Sequence, residues 1–193
     1  MRPLFLLIFQ IVTATVAHAQ TPADEGERNL GRGTFLQKWK KLNRAEKILA
    51  VMDPLVAYQV AKVAIQARDR AAQLYPHSIE NGPGDAFRHA YWNALMKRRV
   101  GPLWAKAWAD AHETAPAADT PIKVMRRKMD LFNNEAGREV ATLFSYWIDD
   151  QELEDRVLKL LRDGDLRVVE TAKSQGRPVD PALWRSSDNQ RPY

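Results

Sequence analysis

Residues Asn81 to Ala94 read NGPGDAFRHAYWNA. Two glycines and a proline end one segment, and a helix follows whose first turns carry Asp85, Arg88, His89 and Trp92. Asp85 and His89 stand at i and i+4, so both side chains leave one face of that helix a turn apart, and Trp92 and Met96 extend the face. A carboxylate and an imidazole so placed suit two ligands of one metal, or an acid oriented against a base. The same spacing also serves as a local pair that merely supports a helix. The stretch predicts a helix from Asp85 to Val100, stopped by Gly101-Pro102, which also opens the next one.

Moving outward from it, helical signals dominate. Phe35, Leu36, Trp39 and Leu42 recur at three- and four-residue steps. Asn43 followed by Glu46 has the spacing of a capping box and opens a short helix through Met52. Asp53-Pro54 supplies an N-cap and an N1 proline for a long, alanine-rich helix to Leu74, expected to form the middle of a bundle. Tyr75-Pro76 ends it.

Beyond the focal helix, Leu103, Trp104, Ala107, Trp108, Ala111 and His112 share a helix, and Ala115 to Pro121 is a loop. Ile122 to Trp147 is helical, in one piece or broken near Met129-Asp130, with Met129, Phe132, Val140, Leu143 and Trp147 as its apolar stripe. Asp149 to Arg162 is the last helix, closed by Gly164. Leu166 to Val169 reads as a short strand or one more turn, and Gly176 to Tyr193 is rich in proline and polar residues. The pattern predicts an all-α fold: a single-domain bundle of about six helices over 34–165, with an irregular tail over 166–193.

At the other end, Met1 to Ala19 reads as an export signal, with Arg2 before an apolar run from Leu4 to Val16 and then Ala17-His18-Ala19. Gln10, Thr13 and Thr15 interrupt the run, which is short of the ~20 apolar residues of a membrane crossing. Cleavage before Gln20 would leave a polar leader over 20–33, no transmembrane segment, and a periplasmic or secreted protein. The chain has no cysteine, which excludes disulfides, thiolate ligands and thiol nucleophiles. Its net charge of +5 is mild and carries no nucleic-acid signal. Lys97-Arg98-Arg99 and Arg126-Arg127-Lys128 are read as a solvated helix end and a solvated face, with an anion-facing surface as the alternative.

Two further segments offer partners for the focal helix. His112 continues the Trp104 and Trp108 stripe toward the core, and Glu113, about 100° round the helix, reaches a site only from its flank. Asp130, Asn134, Gly137 and Arg138 form one stripe, in which Gly137 lets another backbone or a ligand come close. The expected site therefore has Asp85, His89 and Asp130 as metal ligands, and His89, Glu113 and His112 as acid–base groups. Arg88, Asn134 and Arg138 bind substrate. Oxygen and imidazole donors suit one divalent ion such as zinc, manganese, magnesium or calcium. Water on such an ion becomes a usable nucleophile, and a nearby Glu can take its proton. Metal-free chemistry, with a histidine base and an arginine steadying negative charge, is the alternative. No serine lies in a nucleophile motif, and phosphate loops and dinucleotide fingerprints are absent.

With GDAFRHAYWNAL at Gly84 to Leu95, AHE at Ala111 to Glu113 and MDLFNNEAGR at Met129 to Arg138, the chain resembles a bacterial domain family of unknown function found in exported and toxin-like proteins. The D-x-x-x-H helix is more distantly similar to helical zinc phospholipase C and related nucleases. Those use several more histidines than the His77, His89 and His112 that follow the signal, which limits the expectation to one ion, two at most. Two functions follow from these readings. One is an exported hydrolase acting on a phosphoester, lipid or cell-envelope substrate. The other is a non-catalytic envelope or interaction module whose polar cluster is structural.

Overall fold

The computed structural model describes residues 39–78, 80–114, 120–141, 147–169 and, for the backbone alone, 184–186. The export signal and leader read over 1–33, and most of the tail, lie outside them. Among the described residues the protein is all-α, with six helices and one small two-stranded ribbon.

Local signals set the helix ends. In α1 (Arg44–Met52) Asn43 and Glu46 close the capping box in both directions. Asp53 caps α2 (Pro54–Leu74) by accepting from the Leu55 and Val56 N–H groups. Pro83 and Pro102 start α3 (Pro83–Val100) and α4 (Pro102–His112), and Gly101, at φ 84°, turns the chain between them. α5 (Pro121–Val140) runs unbroken through Met129-Asp130. Asp149 caps α6 (Asp150–Asp163), and Gly164 ends it in the left-handed conformation. Leu166 to Val169 takes the strand alternative: β1 (Arg167–Val169) pairs antiparallel with β2 (Trp184–Ser186), with Val168 opposite Arg185.

The middle of the bundle is α3, not the alanine-rich α2. α3 packs against α2, α4, α5, α6 and β1, and nearly every residue from Pro83 to Met96 is buried. α2 buries only Val60, Val63, Ala67 and Ala71, because Lys62, Arg68, Asp69 and Arg70 leave its other faces no route into a core. Phe87, Tyr91, Leu95 and Met96 of α3 join Val63, Leu153, Val157, Leu166 and Val168 in the core. Each such large apolar side chain contributes about 1.5–3 kcal/mol on burial. The Phe87 ring stacks on Tyr91 with centroids 5.3 Å apart. Arg70 and Glu154 close the edge between α2 and α6 with a forked pair at 2.8–2.9 Å.

Two glycines allow the contacts that aim the polar residues. A Cβ on Gly84 would lie 2.7 Å from Tyr75 Cβ and 2.8 Å from the Ser78 carbonyl oxygen, so only glycine lets the start of α3 nest against the preceding loop. A Cβ on Gly137 would overlap the Ala90 carbonyl, so α5 crosses α3 backbone to backbone, as the sequence suggested. The apolar stripe read on α5 holds only in part. Met129 is fully buried, but Phe132 lies at the surface under the Arg167 guanidinium, and Trp147, beyond the end of α5 at Val140, is 87% exposed.

Candidate functional site

The α3–α5 crossing brings the polar stripes of both helices together, and the end of α4 joins them. Arg138 fixes the arrangement from behind. A guanidinium can only donate, so its Nη1, 2.7 Å from Asn93 Oδ1, identifies that atom as oxygen. The Asn93 amide nitrogen must then donate to the His89 carbonyl at 3.1 Å and to Asn134 Oδ1 at 2.6 Å. Asn134 thus presents an oxygen to His89 Nδ1, 3.2 Å away, and Nδ1 must carry the hydrogen. His89 Nε2 is left with its lone pair free of a proton.

Around Nε2 stand Asp130 Oδ1 at 3.3 Å and Asp85 Oδ1 at 3.5 Å, while Glu113 Oε1 lies 3.7 Å from the other ring nitrogen. Asp85 sits in the first turn of α3, where its charge complements the helix dipole, and its Oδ2 accepts the Asn81 N–H at 2.6 Å. Arg88 Nη2 reaches Asp85 Oδ1 at 2.5 Å and His89 Nε2 at 2.7 Å. The expected ligand trio, Asp85, His89 and Asp130, is therefore assembled, with one donor atom from each within 4.8 Å of the others. Glu113 comes nearer than its position on the helical wheel suggested, because it is the residue at which α4 ends.

Hydrogen bonding leaves this cluster incomplete. Among the described residues Asp130 Oδ1 is buried without a hydrogen-bond partner, as is Nε of Arg126, one turn before Asp130, while the buried Glu113 Oε1 and Asn134 Nδ2 lie close enough to interact but form no well-shaped bond. Buried acceptors without donors are costly, at roughly 1–3 kcal/mol each and more when charged. Titration responds accordingly. Burial, with the Glu113 and Asp85 charges adding to it, pushes the Asp130 carboxyl up to about 8. Burial also raises Glu113, against the pull of His112, Asn134 and Arg88. His89 is held well below the usual imidazole range by burial and then by the Arg88 charge, so it is neutral at pH 7.

His112 departs from its expected place. Its side chain is 44% exposed instead of continuing the Trp104–Trp108 stripe inward, with its ring edge-on to Trp92 at 5.2 Å and 6.4 Å from the His89 ring. Nδ1 bonds Glu46 Oε1 at 2.8 Å. Burial works to raise Glu46, but the hydrogen bonds from His112 and Asn43 outweigh it and leave the carboxyl lowered. The Glu46 bond raises His112 in turn. Glu46 was legible only as half of a capping box. No local signal reveals that its second oxygen reaches across to α4, since that contact spans 66 residues.

The basic run at the end of α3 is accounted for by pairing. Lys97-Arg98-Arg99 is not a simple solvated end: Lys97 donates to the Arg138 carbonyl, Arg98 to the Ile148 carbonyl, and Arg98 and Arg99 both pair with Asp150. These arginines and Asp150 line an open depression of about 710 Å³ that includes none of the cluster. His77 is exposed in the loop before α3.

Residues 47–165 match the family described as Domain of unknown function (DUF6973), and, since the match spans more than half of the chain, the protein belongs to that family. No curated protein and no solved structure matches the chain.

Proposed function

For this member of a family of unknown function we propose a metal-dependent hydrolase of phosphoester substrates, those of lipids and the cell envelope included. It works outside the cytoplasm, in the periplasm or after secretion, as the Met1 to Ala19 pattern suggests. The observation that carries the reading is the buried, partnerless Asp130 Oδ1, 3.3 Å from an unprotonated imidazole nitrogen and beside a second carboxylate. Ligands at about 2.1 Å from a tetrahedral ion lie about 3.4 Å apart, close to the separations from His89 Nε2 to both aspartates. Asn134, backed by Asn93 and Arg138, supplies the support that a histidine ligand needs behind its other nitrogen.

Asp85 Oδ1, His89 Nε2 and Asp130 Oδ1 would hold the ion. Once bound, zinc or manganese would acidify water and polarise a phosphoryl oxygen. Glu113, a carboxylate outside the ligand trio whose pKa burial has raised, is the proton acceptor. His112, turned by Glu46 and open to solvent, would give its own proton to the departing alkoxide and be reprotonated from solvent, as Glu113 releases to solvent the proton it took.

The competing reading, a non-catalytic envelope or interaction module, draws support from the Arg138–Asn93–Asn134 chain, which would equally lock helix register. Metal analysis of the purified protein separates the two. We expect about one zinc or manganese per chain and metal-dependent hydrolysis of bis(4-nitrophenyl) phosphate, both lost in folded His89→Ala and Asp85→Ala variants. A protein that takes up no metal, and whose variants are simply unstable, would retire the hydrolase in favour of the module.

A further inference from the structure

His89 Nε2 has one lone pair, and Arg88 Nη2 is using it at 2.7 Å while also holding Asp85 Oδ1 at 2.5 Å. An ion ligated by Nε2 needs that same lone pair. Metal binding and the Arg88–His89 contact are therefore mutually exclusive, whatever else moves. The Arg88 side chain is 30% exposed, so it has a way out toward solvent. A second guanidinium waits nearby: Arg126 is half-buried, its Nε is buried without an acceptor, and its charge, like that of Arg88, acts on the Asp130 carboxyl.

We propose that Arg88 is a displaceable resident cation, and that loading the metal releases it to form, with Arg126, a receptor for the phosphate group of the substrate. The proposal rests on the metal reading above and deepens it. Without metal, Arg88 offsets the Asp85 charge in a site crowded with carboxylates. With metal, two like charges cannot share that position, and the freed fork meets an anion bidentately. Arg126 supplies a donor that nothing else in the cluster uses. Two guanidinia beside a divalent ion match the charge of a phosphoester better than that of a neutral amide or glycoside.

The test is a titration of the intact protein with manganese, followed by the loss of the free-ion paramagnetic resonance signal, and then with inorganic phosphate by calorimetry. Arg88→Met is expected to bind manganese at least tenfold more tightly than the wild type, because the competing cation is gone. In the metal-loaded state Arg88→Met and Arg126→Met are each expected to bind phosphate at least tenfold more weakly. Metal-free wild type is expected to bind phosphate no better than the metal-loaded variants. Arg126→Met leaves the Asp85–Arg88–His89 contacts intact, so it keeps the test open should Arg88→Met fail to fold. Manganese affinity unchanged or reduced in Arg88→Met, or phosphate affinity unchanged in both variants, overturns the receptor while leaving the metal site standing. No manganese uptake by the wild type or either variant overturns the metal reading and the receptor with it. A parallel titration with dihexanoyl phosphatidylglycerol identifies the source: binding of both probes points to a lipid headgroup, and binding of phosphate alone to a soluble ester.

Discussion

The two ends of α3 carry similar densities of charge and use them in opposite ways. At its C-terminal end Lys97, Arg98 and Arg99 each find an acceptor, in the Arg138 and Ile148 carbonyls and the Asp150 carboxylate, and all three sit where cations complement the helix dipole. At its N-terminal end Asp85 meets Asp130 and Glu113, and among the described residues the cation bonded to Asp85 is Arg88, because His89 is neutral. Among the described residues two oxygens, Asp130 Oδ1 and Glu113 Oε1, and two donors, Asn134 Nδ2 and Arg126 Nε, are left there without a well-formed hydrogen bond. A run of charges therefore says little about function. What separates a brace from a site is whether the neighbouring elements return a partner for each charge.

That contrast is open to experiment. The largest effect should come from Gly137→Ala, which drives a methyl into the Ala90 carbonyl and pushes α5 off both ends of α3 at once. We expect a loss of about 3 kcal/mol or more in a denaturant melt, together with loss of metal binding. A small loss would mean that the α3–α5 contact does not align the cluster. Next, Arg98→Ala should destabilise by about 2–3 kcal/mol with unchanged metal affinity, since its side chain is only 8% exposed and leaves Asp150 short of a partner. Asn134→Ala should do the reverse. It removes the acceptor behind His89 and should weaken metal binding by about 10- to 100-fold with a modest change in melting temperature. Equal effects of these two substitutions on both readouts would erase the distinction between the ends.

The smallest effect is one of pH. Asp130, raised to about 8 from an ordinary 3.8, stabilises the fold fully below the lower value and loses that contribution as pH rises through the upper one. His89, lowered, contributes above its ordinary 6.5 and loses its contribution as pH falls. Between those two limits, pH 6.5 and 8, the Asp130 contribution declines alone of the pair. The metal-free protein should then lose on the order of 1–2 kcal/mol across that interval. His112, raised by its Glu46 hydrogen bond, titrates in the same direction. Asp130→Asn should flatten the slope, and bound zinc should abolish the Asp130 part, because a liganded carboxylate has already released its proton. A slope identical in Asp130→Asn and wild type would remove Asp130 as its source.

Much of the bundle was legible because helix ends are written locally. Asn43 and Glu46, Asp53-Pro54, Gly101-Pro102 and Gly164 each act within a few residues of themselves, and each does what its chemistry predicts. The convergence of Asp85, His89 and Asp130 was legible too, because side chains four apart share a helical face and the polar stripe of α5 borders its buried one. The middle position of α3 was not. The alanine-rich Pro54–Leu74 helix was expected there, yet it is α3 that buries Asp85, His89 and Asn93, since partners from α5 and the loop before α3 replace the solvent. The burial of Leu166, Val168 and Val169 was hidden for a related reason: Asn133 brackets the Arg167 backbone in both directions from 34 residues away.

Composition and local pattern alone thus determined an all-α chain without cysteine, most of its helix boundaries, and the residue types available for chemistry. Those properties depend on neighbours within a turn or two of helix. Tertiary structure alone decided that α3 lies at the centre, that Glu46 holds His112, and that the Lys97–Arg99 end is satisfied while the Asp85–His89 end is not. Hydrogen-bond satisfaction is settled here by groups 34 to 68 residues apart in the chain, and the crossing of α3 with α5 at Gly137 brings Asn93 within 3 Å of Asn134 and Arg138.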